Sequence, residues 1–428
     1  MRKDESGRNF GAEGVELHES DSELSKNQEN EPFTQMTSAQ VAEAAKQIMP
    51  RVMRRLRKDR GRMVVDDIVS FSLPVSGQPG REAPLVALKT TGCMHSLGAG
   101  GCTMCEYGWA GRKVQTEELR GQLDRAFKIF EKANEEHEIV QFNINALGSF
   151  FDDREFPPEI RREIYERIKQ AEASGRKVVF ITESRLEYID EAKLLEMRTM
   201  LGDEAKVEIG YGMESTNELI RDACVNKLLP ADFEKKLALL KQFSVERWAH
   251  IILKPPFLNE RDGIEDAVKS IDESFNNDWA EHVILMSMNI RKSTLVGELV
   301  ERHEYELPDI WSLIEVVKRV GSEKASKLSL LGFVTANGTE QKVTGCSECE
   351  APLKKVISKW TGVKEDYDEL MRIEKEVHCA CRGDWQKEVD KKPSEPLHIR
   401  IAKNLDRLTR DYLGAPLHEA IKSRPKIV

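Results

Sequence analysis

The chain has 428 residues, 40% of them hydrophobic, and a formal net charge of −9. No apolar run approaches the ~20 residues of a membrane helix, the first residues are acidic rather than signal-like, and eight cysteines are too few for a disulfide scaffold. We therefore expect a cytoplasmic globular protein without membrane contact, and its negative charge argues against a surface coated in phosphate-binding groups.

The N-terminal segment divides into a polar tail and a helix. Residues 1–36 are rich in Glu, Ser, Asn and Gly and lack apolar periodicity, which predicts a disordered acidic tail. From Thr37 to Arg57, apolar residues recur at helical spacing and predict one helix before the core. The stretch from Arg51 to Arg62 is the only dense basic run in the sequence. It suits a solvated helix face or a contact with RNA phosphates, and charge alone leaves both open.

Short β-branched runs then alternate with longer amphipathic stretches. The predicted strands are residues 85–88, 139–144, 178–182, 207–210, 249–253 and 283–288, and helical patterns between them include 116–134, 158–173, 231–243 and 263–275. Helical crossovers between neighbouring strands require a parallel sheet. The fold class is α/β, and six units suit a partial (β/α)6 TIM-type barrel better than a closed eight-fold one. We assign this core, with its preceding helix, to residues 37–305.

Three cysteines follow the first predicted strand within one short loop. Cys93 and Cys102 are separated by eight residues, and Cys102 and Cys105 by two. Three thiolates from one loop suit an iron-sulfur cluster whose fourth iron has no protein ligand. Such an open iron is where a small molecule can be activated, so this loop is the predicted chemical centre.

Polar residues also follow the other predicted strands. In barrels of this kind, chemistry occurs at the carboxyl ends of the strands, so these residues are candidates for the same site. Behind strands two, three and four they are Gly148, Ser149, Glu183, Ser184, Arg185 and Glu214.

A second cysteine group lies in the C-terminal extension, which we assign to residues 306–428. Cys346 and Cys349 form a CxxC pair, and Cys379 and Cys381 form a CxC pair about thirty residues later. Pairs of this kind converge on one tetrahedral ion, so we predict a four-thiolate site. A structural zinc is favoured, an auxiliary iron-sulfur cluster is the alternative, and unliganded thiols are the remaining possibility.

The cysteine loop, the strand order and the rim residues resemble the radical S-adenosylmethionine (SAM) superfamily. That superfamily usually has three and two residues between its cysteines, whereas this chain has eight and two. The wider loop and Tyr107 resemble the branch with the Elongator catalytic subunit and the radical SAM subunit of archaeosine synthase. Further stretches resemble the archaeosine branch: 148–155, 183–185, 212–216, 253–258 and the C-terminal cysteines.

The resemblance implies a [4Fe-4S] cluster on Cys93, Cys102 and Cys105, and SAM as cosubstrate. In the superfamily, the open iron chelates the amino and carboxylate groups of SAM, and one electron from an external donor splits a carbon-sulfur bond. The resulting 5'-deoxyadenosyl radical abstracts hydrogen from the substrate. The predicted SAM contacts are Tyr107, Gly148, Ser149, Glu183, Ser184, Arg185 and Glu214.

The archaeosine enzymes act on a lysine attached to a deazaguanine base in transfer RNA. Hydrogen abstraction leads to carbon-nitrogen cleavage and leaves an amidine, after a partner subunit has attached the lysine. The resemblance therefore implies tRNA as substrate and a lysine-transferring subunit as partner. Two alternatives stay open: a radical SAM enzyme acting on a small metabolite or peptide, and a non-catalytic RNA adaptor with zinc in both cysteine groups.

Overall fold

The computed structural model describes residues 35–61, 67–106, 112–173, 175–288, 290–333, 343 and 345–422. Tyr107, Arg62 and residues 1–34 of the predicted tail lie outside these ranges. None of the helices within them is long and apolar enough to cross a membrane.

One eight-stranded sheet forms the centre of the molecule, with its strands in sequence order. The strands are β1 (Val69–Pro74), β2 (Glu82–Ala87), β3 (Ile139–Asn145), β4 (Lys177–Glu183), β5 (Lys206–Glu214), β6 (Val245–Leu253), β7 (His282–Ser287) and β8 (Leu328–Leu331). β1 runs antiparallel to β2, and every later neighbour pair is parallel. Because β1 and β8 do not pair, the sheet is a curled half-barrel, which confirms the predicted fold class.

All six predicted strands are present as β2 to β7, and two strands that were not predicted extend the sheet. β1 is an exposed edge strand, and β8 has only four residues. The sheet thus continues beyond residue 305, and the division of the chain at that position stays a prediction.

Helices cover the convex face of the sheet, and further helices precede β1 and follow β8 in the sequence. They are α1 (Ser38–Arg60), α2 (Met94–Ala99), α3 (Thr116–Ala133), α4 (Pro158–Ala173), α5 (Glu191–Leu201), α6 (Phe233–Gln242), α7 (Glu260–Asn276), α8 (Leu295–Glu301), α9 (Ile310–Ala325), α10 (Ser347–Ile357), α11 (Lys364–Glu376), α12 (Ala380–Asp390), α13 (Leu397–Leu413) and α14 (Leu417–Lys422). A π-helical turn, Ile220–Val225, follows β5. The predicted N-terminal helix is confirmed as α1, which begins with a capping box between Thr37 and Gln40.

The two faces of the sheet differ in chemistry. Val140, Phe142 and Ile144 of β3 belong to the apolar core beneath the helices, as do the equivalent residues of the other strands. Side chains alternate along a strand, so the intervening residues face the concave side. On that side lie Asn143, Asn145, Glu183, Glu208, Glu246, Trp248, His250 and His282. The concave face is therefore a polar lumen that opens at the carboxyl rim.

Candidate functional site

The three-cysteine loop lies at the carboxyl rim, directly after β2. Cys93 caps the N-terminus of α2, which fills most of the wide interval, and Gly100 ends this helix in a left-handed conformation. In a cubane cluster each cysteine binds a different iron, so three cysteines spread along one loop can serve three of its irons.

The loop is held by the segment that follows β5. Asn226, in a left-handed conformation, donates from its amide to the carbonyls of Ala99 (3.1 Å) and Gly101 (2.8 Å). The Thr103 hydroxyl donates to the Cys224 carbonyl over 2.8 Å. His95 is within 2.7 Å of the Asn226 carbonyl, and burial lowers the pKa of this imidazole to about 3, so it is neutral. The loop conformation is thus fixed on both sides of Cys102.

The β3 rim loop presses against Cys93. A Cβ atom on Gly148 would lie 2.7 Å from the Cys93 Cα atom and 2.4 Å from Glu155 Oε1, so only glycine fits there. Glu155 is buried and accepts hydrogen bonds from Thr90 and from the Ser149 backbone N–H. Burial raises the pKa of Glu155 to about 7. Glu155 therefore joins the segment after β2 to the loop that carries Gly148.

Fixed cations face the thiols. Burial raises the pKa of Cys93 to about 11 and also raises that of Cys102. The charges of Lys227, Arg185 and Arg57 act in the opposite direction on Cys102, whereas the carboxylates of Glu214 and Glu155 add to the increase for Cys102 and Cys93 respectively. Buried thiolates need such compensation, and a thiolate-bound cluster with an anionic ligand needs it more. The three thiols and the surrounding cations therefore fit an iron-sulfur cluster.

The other predicted SAM contacts differ in orientation. The side chain of Glu183 is 44% exposed to the lumen, where His250 Nε2 lies 3.8 Å from its Oε1. Arg185 is buried, ion-paired with Glu187, and donates to the Leu228 carbonyl. Glu214 has a positive φ at a bulge in β5 and lies 3.5 Å from Lys227. These three side chains border the lumen and the cysteine loop.

Both predicted serines lie inside the rim loops. The Ser149 hydroxyl accepts from the Arg185 N–H, and the Ser184 hydroxyl donates to the Arg185 carbonyl and accepts from the Phe151 N–H. In the structure they join neighbouring rim loops, and their contact with SAM stays a prediction.

The basic run of α1 turns toward the protein. Arg51, Arg54, Arg57 and Arg60 each donate to backbone carbonyls of this chain, on Ala420, Gly98, Gly100 and Lys292 respectively. Arg55 pairs with Asp59 on the same helix. Arg54, Arg55 and Lys58 of the run are exposed, so for them the solvated face and the RNA contact both stay predictions.

The predicted four-thiolate site is assembled at two helix N-termini. Cys346 and Cys379 are the N-caps of α10 and α12, and Cys349 and Cys381 lie in their first turns. All four Sγ atoms lie within 4.8 Å of one another. A hydrogen bond from the Cys349 backbone N–H is the main cause that lowers the pKa of Cys346 to about 7 and favours its thiolate, whereas burial raises the pKa of Cys349 and of Cys379.

Sequence reasoning missed several residues that shape the rim, among them Arg57, Glu155, Asn226, Lys227 and His250. Two patterns signalled part of this set: the alternation of polar residues in β6, at Glu246, Trp248 and His250, and the three-residue spacing of the arginines in the basic run.

No protein-family model matches the chain. Related proteins, however, align with 71–73% of it. The chain is 28% identical to archaeosine synthase subunit beta of Methanosarcina acetivorans, over 71% of this chain and 83% of that protein. It is also 28% identical to archaeosine synthase subunit beta of Thermococcus kodakarensis, over 73% of this chain and 93% of that protein. An uncharacterized protein of Methanocaldococcus jannaschii is 29% identical over 73% of this chain and 84% of its own length.

Among solved structures, Elp3 of Methanocaldococcus infernus matches with a TM-score of 0.41 and 17% identity, over 61% of this chain and 59% of that one. The chain thus spans about three fifths of that structure, and a TM-score of this size does not establish a shared fold. The sequence relatives confirm the resemblance carried by the cysteine loop and rim residues: this chain resembles the radical SAM superfamily, and within it archaeosine synthase subunit beta.

Proposed function

We propose that this chain is a radical SAM enzyme that cleaves S-adenosylmethionine to a 5'-deoxyadenosyl radical and modifies a base in tRNA by the archaeosine-type reaction. The observation that carries the proposal is the loop of Cys93, Cys102 and Cys105 at the rim of a parallel half-barrel, faced by buried cations. The similarity to archaeosine synthase subunit beta supports the choice of substrate.

In this proposal the three cysteines hold a [4Fe-4S] cluster, which when bound supplies the electron and the open iron for SAM cleavage. Arg185 is anchored by Glu187 and by the Leu228 carbonyl, so its guanidinium is oriented before an anionic ligand arrives. Glu183 offers carboxylate oxygens at the lumen edge for ribose hydroxyls, and Glu214 offers a second carboxylate beside Lys227. Tyr107 stays a predicted contact.

The substrate chain would enter the polar lumen. His250 is 9% exposed, and neither its Nε2, 3.8 Å from Glu183 Oε1, nor the buried Nε1 of Trp248 has a hydrogen-bond partner among the described residues. The Trp248 ring lies 4.9 Å from the His282 ring, centroid to centroid. Buried donors without partners are costly unless a ligand satisfies them. These groups are therefore candidates to recognise the polar end of the lysine adduct.

We propose one zinc ion for the C-terminal cysteines rather than an auxiliary cluster. The Sγ–Sγ distances are 3.7 Å for Cys346–Cys349, 3.5 Å for Cys349–Cys381 and 3.2 Å for Cys379–Cys381. A tetrahedral ion with Zn–S bonds of ~2.3 Å places its sulfurs roughly 3.8 Å apart. Cysteines of a cubane cluster bind separate irons and lie farther apart, so the compact group suits one ion.

SAM cleavage tests the catalytic part of the proposal. The anaerobically reconstituted and reduced protein should release 5'-deoxyadenosine, and the Cys93→Ala/Cys102→Ala/Cys105→Ala variant should release none. Cys224→Ala is the matched control, because Cys224 is a buried core residue outside both cysteine groups. Equal release by the triple variant and the wild type would refute the proposed centre.

The substrate is tested with tRNA that carries the lysine-deazaguanine adduct, with the lysine-transferring subunit as source of the adduct. We expect the amidine product, and affinity for tRNA should fall steeply with salt. The alternative substrate, a small metabolite or peptide, is favoured by one observation: the main arginines of the basic run bind this chain's own carbonyls. Turnover of the free adduct as fast as the tRNA-borne one, without salt dependence, would support that alternative.

A further inference from the structure

Helix α1 is in direct contact with the three-cysteine loop. A Cβ atom on Gly100 would lie 2.5 Å from the Met53 carbonyl carbon and 2.6 Å from the Arg54 nitrogen. Gly100 also has a φ of +79°, a conformation that glycine adopts without strain. The glycine that ends α2 is therefore required for the loop to pack against the backbone of α1.

Arg57 of α1 binds this loop from the same side. It is 3% exposed, and its Nε donates to the Gly100 carbonyl over 3.1 Å. Its two terminal nitrogens donate to the carbonyl of Cys105 and, over 2.6 Å, to that of Ser293. One side chain thus joins the two ends of the Gly100–Cys105 segment to the loop after β7.

The charge of Arg57 also lies beside the cysteine segment, because its guanidinium donates to the backbone carbonyl of Cys105 itself. A buried cation next to an anionic cluster stabilises it, and more so after it has gained an electron.

We infer that Arg57 is a positioning residue for the proposed iron-sulfur centre: it holds the three-cysteine loop in its binding conformation and raises the reduction potential of the cluster. The inference rests on the proposed function, since it needs a cluster on these cysteines. This role also explains the eight residues between Cys93 and Cys102. Most of them form α2, and Gly100 at its end packs against the backbone of α1.

The test compares the full-length wild type with Arg57→Gln, Arg57→Lys and Arg55→Gln after anaerobic reconstitution. The readouts are iron per chain, the rate of iron loss to a chelator, and the midpoint potential of the cluster. We expect Arg57→Gln to lose iron about tenfold to a hundredfold faster, as the loss of one or two hydrogen bonds from a charged donor implies, and to have a more negative potential. Arg57→Lys keeps the positive charge but loses the planar guanidinium that donates to three carbonyls. The cluster of this variant should therefore lose iron rapidly, while its midpoint potential stays near that of the wild type.

Arg55→Gln is the control on the same helix, since Arg55 pairs with Asp59, and it should match the wild type in all three readouts. Arg57→Gln with unchanged iron loss and potential would overturn the inference. If wild-type protein takes up no iron at all, the proposed function fails and the inference fails with it.

A second pair of variants applies if Arg57→Gln does not fold, as judged by zinc content and thermal unfolding. Gly100→Ala pushes α1 away from the loop, whereas Gly98→Ala adds a Cβ with no atom within 4 Å. Rapid iron loss in Gly100→Ala but not in Gly98→Ala supports the docking of α1, and equal behaviour of the two contradicts it.

Discussion

The chain contains two cysteine sites, and they are built in opposite ways. The C-terminal site takes four thiols from the N-termini of α10 and α12, and these thiols lie within 4.8 Å of one another. The rim site takes three thiols from one loop, and α1, the segment after β5 and the β3 rim loop hold that loop in place. A closed site needs few supports because its ion completes it, whereas a site with an open position depends on residues that bind no metal.

The C-terminal site should give the largest stability effect. Cys349 is fully buried, and Trp385 of α12 donates to Ser312 of α9, so this region is packed onto the barrel. Cys349→Ser should release the zinc and lower the free energy of unfolding by about 3–5 kcal/mol.

Thermal unfolding and zinc content measure this effect. Cys224→Ser is the control, because it also places a hydroxyl at a buried thiol but should retain zinc. Iron at the rim should persist in Cys349→Ser under conditions where the chain is folded, and its simultaneous loss would contradict the independence of the two sites.

The rim site should respond to a single methyl group. In Gly148→Ala the new Cβ meets Cys93 and Glu155, so the rim loop must move. We expect a loss of ~2 kcal/mol in stability, as for other overpacked sites, and at least a hundredfold fall in 5'-deoxyadenosine release.

The matched control is Gly121→Ala on the surface of α3, where the nearest atom is 3.9 Å from the added Cβ. That variant should be neutral or slightly more stable. A Gly148→Ala protein with wild-type activity would show that this contact does not shape the site.

A smaller effect, of opposite sign, is expected near α1 at Asp222 in the π-helical turn. This carboxylate is 2% exposed, and its oxygens accept no hydrogen bond from the described residues. Arg221 Nε and Lys46 Nζ lie 3.6 and 3.9 Å away, but burial outweighs these cations and raises the pKa of Asp222 to about 7. The unfolded group ionises near pH 4, so the native state binds more protons between about pH 4 and 7. The stability contributed by the protonated group is therefore lost as the pH rises through this window.

Asp222→Asn should remove that loss and raise stability by about 1–2 kcal/mol at pH 7.5, and by roughly a third of that amount at pH 5. Thermal unfolding of both proteins across this range measures the difference. Equal curves for wild type and variant at both pH values would contradict the assigned ionisation.

Sequence patterns predicted the parts of the molecule in which chemistry and periodicity are local. Strands β2 to β7, α1 and the two cysteine groups follow from β-branched runs, helical spacing and CxxC-type intervals. β1 was missed because half of the edge strand Val69–Pro74 is exposed and it ends in proline, and β8 because four residues carry little periodicity.

The supports of the rim site depend on contacts between residues far apart in the chain, which no local pattern records. Arg57 contacts Ser293, and Asn226 contacts Gly101. The basic run did contain a signal: Arg51, Arg54, Arg57 and Arg60 recur every three residues and therefore share one side of a helix, which indicates a common partner surface.

The most direct test of the account is the iron, sulfide and zinc content of anaerobically reconstituted wild-type protein beside the Cys93→Ala/Cys102→Ala/Cys105→Ala variant. The account predicts about four irons and one zinc per chain in the wild type, and zinc without iron in the variant. About eight irons would contradict the zinc assignment, and two zincs without iron would contradict the radical SAM proposal itself.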